Sequence, residues 1–523
     1  MEYVTGKDLD RIFKSKRIAS FRKRFLFPEL MAYLHREEDP RLCTLYGLRR
    51  TGKTTLMAQA AKELDQDKVC WVHCEEGDDI QDVKNVIKGN PACRYFFLDE
   101  VTRLENFTSA SSILADKYAA EDGKKIVLAG TDSLGFALAF GTELFDRTHI
   151  LHTTYIPYAE YRYLLGEDKD IDDYIEYGGT LTDGKVFYNP EGDFDYTNDA
   201  IAENIQHSLE LFRDGGAFGP LLPLYARDEL TTCIEKLVEL DNRTFLAKNI
   251  NRTFKSHDMG RLSSNLQHDK NFEDIDVTPL KNPELIREIR DALLIKDPLL
   301  HAVSPEAVRE IKRYLKRLDV IYVVPGTEEQ EVIFMQPGLR YNQVRKQMDI
   351  LEQSPLLKDF SPSLRKEFSR RLDEQVKGSM MEDILFVQLA KDKALRERYR
   401  VTKYRDSAGT HEFDLVIVDE KQDKAVLLEV KHSKEYLPSH QALHLIDEAA
   451  CQELEEDLHV HVAGKAVIYR GENMSCTKGI SYWNVNTFMD NPKGCLEAIE
   501  SIYQGRGWKE SLQKALRKPG WTR

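Results

Sequence analysis

One short segment limits the folds open to this chain more than any other feature. It reads Gly47-Leu48-Arg49-Arg50-Thr51-Gly52-Lys53-Thr54, which fits the phosphate-binding pattern G-x-x-x-x-G-K-[ST]. An apolar run over residues 42–46 precedes the segment, and a helical pattern over residues 54–64 follows it. Glycines let such a loop turn its N–H groups inward around an anion, and the positive end of the following helix points at the same anion. The segment therefore predicts a nucleotide site at the edge of a sheet.

The side chains of this loop have distinct predicted roles. Lys53 should reach the β- and γ-phosphates and the Thr54 hydroxyl should ligate Mg²⁺, so ATP and Mg²⁺ are the expected cofactors. Arg49 and Arg50 are unusual in such a loop, and they touch either phosphate or a docked domain. The predicted nucleotide-binding residues are Gly47, Arg49, Arg50, Thr51, Gly52, Lys53, Thr54, Thr55 and Thr131.

Asp99 and Glu100 come directly after an apolar run over residues 95–98. In a parallel sheet, the carboxyl ends of the strands form the edge where ligands bind. Asp99 should hold Mg²⁺, directly or through water, and Glu100 should activate the attacking water as general base. The alternative is an ordinary strand that ends in a solvated acidic turn. The Asp-Glu pair favours hydrolysis over binding alone.

Two further polar residues are candidates for the same site. Thr131 follows an apolar run over residues 126–129, and it either hydrogen-bonds the γ-phosphate or the lytic water, or belongs to a simple strand-end turn. Arg147 either neutralises transition-state charge, in its own subunit or in a neighbouring one, or lies at the surface. A homo-oligomer is therefore one expectation for the assembly.

Within the first predicted domain, residues 1–156, the chain from about residue 40 to 150 alternates short apolar runs with helical patterns. Apolar runs without polar interruption indicate strands that are buried on both faces, and strand–helix alternation indicates parallel pairing. This part therefore predicts a P-loop domain with an α/β parallel sheet. Its predicted strands cover residues 42–46, 69–72, 95–98 and 126–129.

The rest of the chain divides into three further predicted parts. Residues 157–229 predict a helical lid that contains an acidic insertion. Residues 230–345 are mostly helical, and a helix that begins at Ser304, followed by two strands, is typical of a winged helix or of another small α+β module. Residues 346–523 predict a C-terminal α/β domain.

Charge and cysteine usage limit the partners and the compartment. The 523 residues carry a formal net charge of −14, and residues 166–203 supply about ten of these negative charges. The remainder is nearly neutral, and its basic clusters are either solvated helix faces or a footprint for nucleic acid. Eight scattered cysteines indicate reduced thiols, and Cys70 and Cys74 lack the further ligands of a zinc site. No apolar run approaches a membrane span and no secretory signal is evident, so we expect a cytoplasmic protein without a membrane partner.

A second group of candidate residues lies in the C-terminal part. Asp414 lies in one apolar run, and Glu429 and Lys431 end the next run after a short turn. Side chains two residues apart in a strand point to the same face, so Glu429 and Lys431 should converge with Asp414 of the adjacent strand. In the PD-(D/E)xK restriction-endonuclease-like fold, two carboxylates bind Mg²⁺ and a lysine assists the nucleophile or the charge. The arrangement expected for Asp414, Glu429 and Lys431 is of this kind. Glu382, on an upstream helical pattern, offers another metal-binding carboxylate.

The motifs of residues 40–180 resemble those of the AAA-like ATPases of bacteria and archaea whose loop carries paired arginines. The shared motifs are residues 45–55, Phe96-Phe97-Leu98-Asp99-Glu100, the strand ending at Thr131, Arg147 before Ile156-Pro157, and the lid segment around Tyr177-Gly178-Gly179. The resemblance continues over residues 376–490. It implies a signal-transduction type ATPase with a winged-helix region and a C-terminal nuclease-like domain. Gln441 resembles the accessory glutamine of some such nucleases, and residues 184–198 stay unassigned.

Two functions from different classes are open from the sequence. One is an enzyme that couples ATP hydrolysis to DNA binding or DNA cleavage. The other is a non-cutting ATPase switch, a regulatory interaction protein with a degenerate nuclease fold. The trio Asp414, Glu429 and Lys431 favours the first function, and the net acidity favours the second. ATP hydrolysis is the main prediction, and nuclease action on DNA is the secondary one.

Overall fold

A largely parallel sheet carries the phosphate-binding loop. The computed structural model describes residues 1–15, 18–48, 51–130, 133–141, 143–179, 194–212, 218–254, 282–325, 331–406, 411–437, 441–475 and 479–516. The strands of the first sheet are β1 (Glu2–Thr5), β2 (Leu42–Tyr46), β3 (Val69–His73), β4 (Tyr95–Asp99), β5 (Lys125–Ala129) and β6 (Thr148–His152). Their order is β1-β3-β4-β5-β2-β6, and only β1 is antiparallel to its neighbour. The four predicted strands are confirmed, whereas β1 and β6 were not predicted.

Helices cover both faces of this sheet. Successive strand residues alternate between two apolar cores, so that Phe96 belongs to one core and Phe97 to the other. The helices are α1 (Leu9–Ser15), α2 (Phe27–His35), α3 (Lys53–Glu63), α4 (Ile80–Gly89), α5 (Phe107–Ala110) and α6 (Ser133–Phe140). A π-helix over Leu114–Glu121 follows α5, where the sequence pattern predicts one continuous helix.

The lid and the middle part are helical, as predicted. Their helices are α7 (Tyr158–Leu165), α8 (Ile171–Tyr177), α9 (Phe194–Phe212), α10 (Leu222–Tyr225), α11 (Leu230–Thr253), α12 (Pro283–Leu293), α13 (Pro298–His301), α14 (Pro305–Arg317) and α15 (Pro337–Glu352). Ser304 caps α14 through a 3.1 Å bond from Ala307 N to Ser304 Oγ. An antiparallel ribbon of β7 (Ile321–Val323) and β8 (Val332–Phe334) follows α14. This order fits both a winged helix and another small α+β module.

The C-terminal part is a second six-stranded sheet with helices. Its strands are β9 (Tyr399–Arg405), β10 (Glu412–Asp419), β11 (Lys424–Lys431), β12 (His461–Tyr469), β13 (Met474–Ser475) and β14 (Ile480–Asn484). They lie in the order β13-β14-β12-β11-β10-β9, with β11, β12 and β14 parallel. The helices are α16 (Pro362–Lys391), α17 (Lys393–Arg396), α18 (Leu443–Ile446), α19 (Glu448–Leu458), α20 (Val485–Asp490), α21 (Pro492–Tyr503) and α22 (Trp508–Ala515).

One apolar core runs through the lid, the middle part and the C-terminal part. It joins residues from α8, α11, α15, α16 and β14, namely Tyr174, Ile250, Tyr341, Met381 and Trp483. These parts are therefore packed together by buried apolar surface and not only by charged contacts at the surface.

A second core connects the phosphate-binding loop to the middle part. Leu48 of the loop shares this core with Leu134 of α6 and Ile234 of α11. Because Ile250, near the other end of α11, belongs to the first core, this one helix contacts both. With its 24 residues, α11 is about 36 Å long.

Within the described residues, no helix is both long enough and apolar enough to cross a membrane. The described cysteines are all buried and unpaired, and burial raises the pKa of the Cys70 and Cys74 thiols. Raised thiol pKa values disfavour the thiolate form that a metal requires.

Candidate functional site

The phosphate-binding loop joins β2 to α3, and its glycines lie where a side chain does not fit. Gly52 has a left-handed backbone (φ 85°) directly before α3. A Cβ atom on Gly47 would lie 2.3 Å from Thr153 Oγ1. Lys53 is buried, and its Nζ donates to the carbonyl oxygens of Gly47 and Leu48, both at 2.7 Å. The ammonium group therefore lies inside the loop, where phosphate oxygens can replace the two carbonyls.

Polar residues at the ends of α3 and β4 lie beside this loop. Thr54 Oγ1 donates to Asp99 Oδ1 at 3.4 Å, and Asp99 is buried at the end of β4. Thr55 lies in the same first turn of α3. Glu100 follows with a left-handed backbone (φ 59°), a conformation that costs about 1–3 kcal/mol for a residue other than glycine and that clusters at active sites. The structure thus brings Thr54, Asp99 and Glu100 to the carboxyl edge of the sheet.

A buried arginine that sequence reasoning missed supports the loop. Arg24 Nη1 donates to the carbonyl oxygens of Thr51 (2.8 Å) and Thr153 (3.2 Å). Its Nε lies 2.6 Å from Glu160 Oε1, and both side chains are buried. The hydroxyl groups of Thr51 and Thr153 also share a hydrogen bond of 2.7 Å. No local pattern marks Arg24, because Glu160 lies 136 residues away in the chain.

Arg147 does not lie at the nucleotide site of its own subunit, which corrects that part of the prediction. It precedes β6, and its carbonyl oxygen accepts a bond of 2.8 Å from the backbone N of Leu42, the first residue of β2. The loop follows the opposite end of β2, and a five-residue strand spans about 16 Å. Arg147 Nε instead lies 2.7 Å from Asp116 Oδ1. A role of Arg147 in a neighbouring subunit stays a prediction.

Three predicted nucleotide contacts lie outside the described residues. They are Arg49, Arg50 and Thr131.

Asp414, Glu429 and Lys431 converge on neighbouring strands of the C-terminal sheet. The antiparallel strands β10 and β11 pair Leu415 with Leu428, and this register places Asp414 level with Glu429. Lys431 Nζ lies 2.8 Å from Glu429 Oε2 and 3.3 Å from Asp414 Oδ2. These two oxygens are therefore no more than about 6 Å apart, whereas two oxygen ligands of one divalent ion lie at most about 5 Å apart, so the two carboxylates would have to approach slightly to share an ion.

Two carboxylates of this cluster, Glu429 and Glu382, lie in an environment that disfavours their charge. Glu429 is 2% exposed, and its Oε1 is a buried oxygen without a hydrogen-bond partner among the described residues. Burial and the nearby Asp414 carboxylate raise the pKa of Glu429 well above its usual value. The same two causes raise the pKa of Glu382, on α16, to about 8. An unpartnered buried oxygen within a set of carboxylates fits a hard divalent cation such as Mg²⁺.

A cleft of about 1100 Å³ opens beside the cluster. Many of its lining side chains are basic, including Arg252, Arg370, Arg371, Lys377, Lys434 and Arg470. Gln441 also lines the cleft, where its Nε2 donates to Glu435 O (2.7 Å) and its Oε1 accepts from Leu437 N (2.9 Å). Gln441 therefore holds the loop over residues 435–437, which borders the cleft.

Comparison with known proteins identifies two segments of the chain. Residues 39–162 match the family model AAA_14, an AAA domain. The phosphate-binding loop lies within this matched segment. Residues 377–488 match a domain of unknown function, DUF4143, and this segment contains the carboxylate cluster. Comparison with curated proteins gave no match.

One solved structure similar to this chain is described as a Walker-type ATPase of Pyrococcus abyssi. It is 14% identical to this chain, and the alignment covers 61% of this chain and 95% of that chain with a TM-score of 0.31.

Helix α8, which lies in the predicted lid and follows the segment matched to the AAA model, contacts the C-terminal sheet beside the cluster. Asp170 caps α8, and its Oδ2 lies 3.0 Å from Arg470 Nη2. Asp172 in the first turn lies 2.5 Å from the same nitrogen and 2.6 Å from His432 Nε2. Because His432 directly follows Lys431, this charged contact joins the lid to the strand that carries the cluster.

Proposed function

We propose that this protein binds ATP with Mg²⁺ at the AAA domain and hydrolyses it. The observation that carries the proposal is the Lys53 ammonium group, which lies inside a loop whose Gly47 has no room for a side chain. Thr54 and Asp99 offer the oxygen atoms that hold Mg²⁺, which would neutralise phosphate charge when bound. Glu100, on the strained backbone after Asp99, would accept a proton from the attacking water.

Two substitutions separate binding from hydrolysis. Lys53→Ala should abolish binding of a fluorescent ATP analogue and all ATP turnover. Glu100→Gln should bind the analogue normally and slow turnover by roughly 10²–10⁴-fold, the range for loss of a general base. Glu121→Gln is the matched control, since Glu121 is an exposed carboxylate paired with Lys117. Turnover like that of the wild type in Lys53→Ala would contradict the proposal.

We also propose that the C-terminal cluster is a Mg²⁺-dependent nuclease site that acts on DNA. The support is the convergence of Asp414 and Glu429 on one lysine, with a buried Glu429 oxygen that lacks a partner. Mg²⁺ bound there would activate water and offset charge on the scissile phosphate. Lys431 would steady the same charge, and Lys434, an exposed basic residue of the cleft, would contact the DNA backbone.

The nuclease proposal is tested on supercoiled plasmid with the full-length protein. Asp414→Asn and Lys431→Ala should stop Mg²⁺-dependent nicking and leave ATP hydrolysis at the wild-type rate, because neither residue contacts Asp99, Glu100 or the described residues of the phosphate-binding loop. Glu420→Gln should nick like the wild type, because Glu420 is an exposed carboxylate in the turn between β10 and β11, at the other end of this hairpin from the cluster, and is paired with Arg400. Nicking that persists in Asp414→Asn would place the activity elsewhere or in a contaminant.

The second candidate function is a non-cutting ATPase switch. The observation that favours it is the engagement of Asp414, whose Oδ2 already accepts bonds from the backbone N of Val430 (2.7 Å) and from Lys431 Nζ (3.3 Å). In this case the wild type hydrolyses ATP but does not nick DNA with Mg²⁺ or Mn²⁺. The cluster substitutions then change stability alone.

A further inference from the structure

An arginine from the middle part reaches into the carboxylate cluster of the C-terminal part. Arg252 lies in the last turn of α11, and its Nη1 lies 3.3 Å from Glu382 Oε2. Its Nη2 lies 3.1 Å from Glu412 Oε1, and its Nη1 also donates to Ser379 Oγ at 3.2 Å. One guanidinium group therefore bridges α16 and β10, the two elements that carry Glu382 and Asp414.

The position of Arg252 is fixed by packing as well as by charge. Phe254, two residues further along, stacks on Phe368 of α16 with ring centroids 4.8 Å apart and an angle of 5° between the rings. Ile250 lies in the same apolar core as Met380 and Met381 of α16. The end of α11 is thus held against the helix that presents Glu382.

A guanidinium group carries its positive charge at every physiological pH. It occupies one oxygen of Glu382, the third carboxylate beside Asp414 and Glu429, and it brings a fixed positive charge close to this cluster. Two cations close to one cluster repel each other, and solvent at the Arg252 side chain, which is 40% exposed, screens part of that repulsion. Metal binding at the cluster must therefore displace Arg252 or proceed against its charge.

We propose that Arg252 is a tethered counter-ion that competes with the divalent metal ion for the Asp414–Glu429–Glu382 cluster. The inference rests on the proposed metal site, and it adds a regulatory residue that lies outside the segment matched to DUF4143. While Arg252 holds Glu382, the cluster has low affinity for the metal. When the contact opens, the Glu382 oxygen becomes available beside Asp414 and Glu429.

The test is calorimetric titration of full-length protein with Mn²⁺, in the absence of nucleotide and of DNA. The variants are Arg252→Met, which keeps much of the aliphatic stem, and Arg252→Lys, which keeps the charge. Arg370→Met is the matched control, because Arg370 lines the same cleft but pairs with Glu367 and Glu374. Glu429→Gln removes the site and identifies the heat that belongs to it. Thermal unfolding checks that each variant is folded.

We expect Arg252→Met to bind Mn²⁺ at least about tenfold more tightly than the wild type, a coupling of ordinary size between two linked sites. The Mn²⁺ affinity of Arg252→Lys should lie between those of Arg252→Met and the wild type, and the Mn²⁺ affinity of Arg370→Met should equal that of the wild type. If Arg252→Met binds Mn²⁺ no more tightly than the wild type or Arg370→Met, the inference about Arg252 is wrong. The proposed metal site itself is not contradicted by that result. Absence of any heat that depends on Glu429, in every protein, overturns the metal site and the inference together.

Discussion

Replacement of Arg24 by methionine tests how the nucleotide loop is supported. Arg24 is 5% exposed and bonds to both oxygens of Glu160, at 2.6 and 3.1 Å. Its remaining nitrogen–hydrogen groups reach the carbonyl oxygens of Thr51, Thr153 and Tyr155. In Arg24→Met, the Glu160 carboxylate stays buried with the backbone N–H of Phe25 (2.7 Å) as its remaining described donor. Removal of one partner from a buried ion pair costs about 3–5 kcal/mol.

That cost has two measurable results. The melting temperature of the AAA domain should fall by roughly 6–20 °C, because 1 kcal/mol corresponds to about 2–4 °C or somewhat more for a domain of this size. Affinity for ATP should fall by about tenfold, which is about 1.4 kcal/mol, since the Thr51 carbonyl loses its charged donor. Differential scanning fluorimetry and titration with a fluorescent ATP analogue measure these two quantities. The matched control is Arg22→Met, two residues away, where the side chain is exposed.

A double variant distinguishes the buried charge from the loop contact. Arg24→Met with Glu160→Gln leaves no uncompensated buried charge, so part of the lost stability should return. ATP affinity should stay low in the double variant, because the carbonyl of Thr51 still lacks its donor. If Arg24→Met melts within about 2 °C of the wild type and binds ATP equally well, the reasoning is refuted.

Three further results are expected. Gly47→Ala should lose ATP binding in the same fluorescence titration, because its Cβ would lie 2.3 Å from Thr153 Oγ1. Burial and Asp414 raise the pKa of Glu429 in the folded state, so folding must take up a proton. In urea unfolding with chelator present, the free energy of unfolding of the wild type relative to Glu429→Gln should therefore fall as pH rises above about 4.5, by up to about 1.4 kcal/mol per pH unit. A difference between the two proteins that does not change with pH would contradict this prediction. Asp172→Asn weakens its charged contact with Arg470, so hydrogen exchange in α8 should accelerate by roughly tenfold, whereas an unchanged rate would mean that the contact contributes little.

The sequence predicted those features that short segments encode. The strand before Gly47, the helix after it and the strand that ends at Asp99 follow from apolar runs and from one loop pattern, and the structure has all three. The convergence of Asp414 with Glu429 followed from the two-residue period of strands and a short turn. In each case the relevant residues are close in the chain or lie on adjacent strands.

The features that the sequence did not predict depend on contacts between distant residues. Strand β6 was missed because Leu151 is its only fully buried residue, so it forms no apolar run. Without β6, nothing in the sequence showed that Arg147 lies at the far end of the sheet from the loop. Arg24 and Arg252 were missed for a related reason: each is one of many charged residues, and their carboxylate partners lie 136 and 130 residues away.

The helix α11 extends from the core around Leu48 of the phosphate-binding loop to the C-terminal carboxylate cluster, so a tilt of the helix at one end displaces its other end. One end packs in the core that contains Leu48 of the nucleotide loop, and the other end presents Arg252 to Glu382. Over about 36 Å, a tilt of only about 5° moves the far end by about 3 Å. A displacement of this size relative to α16 would be comparable to the 3.3 Å separation between Arg252 and Glu382. The length of one helix thus sets how far a tilt at the end near Leu48 would displace the guanidinium group that contacts Glu382.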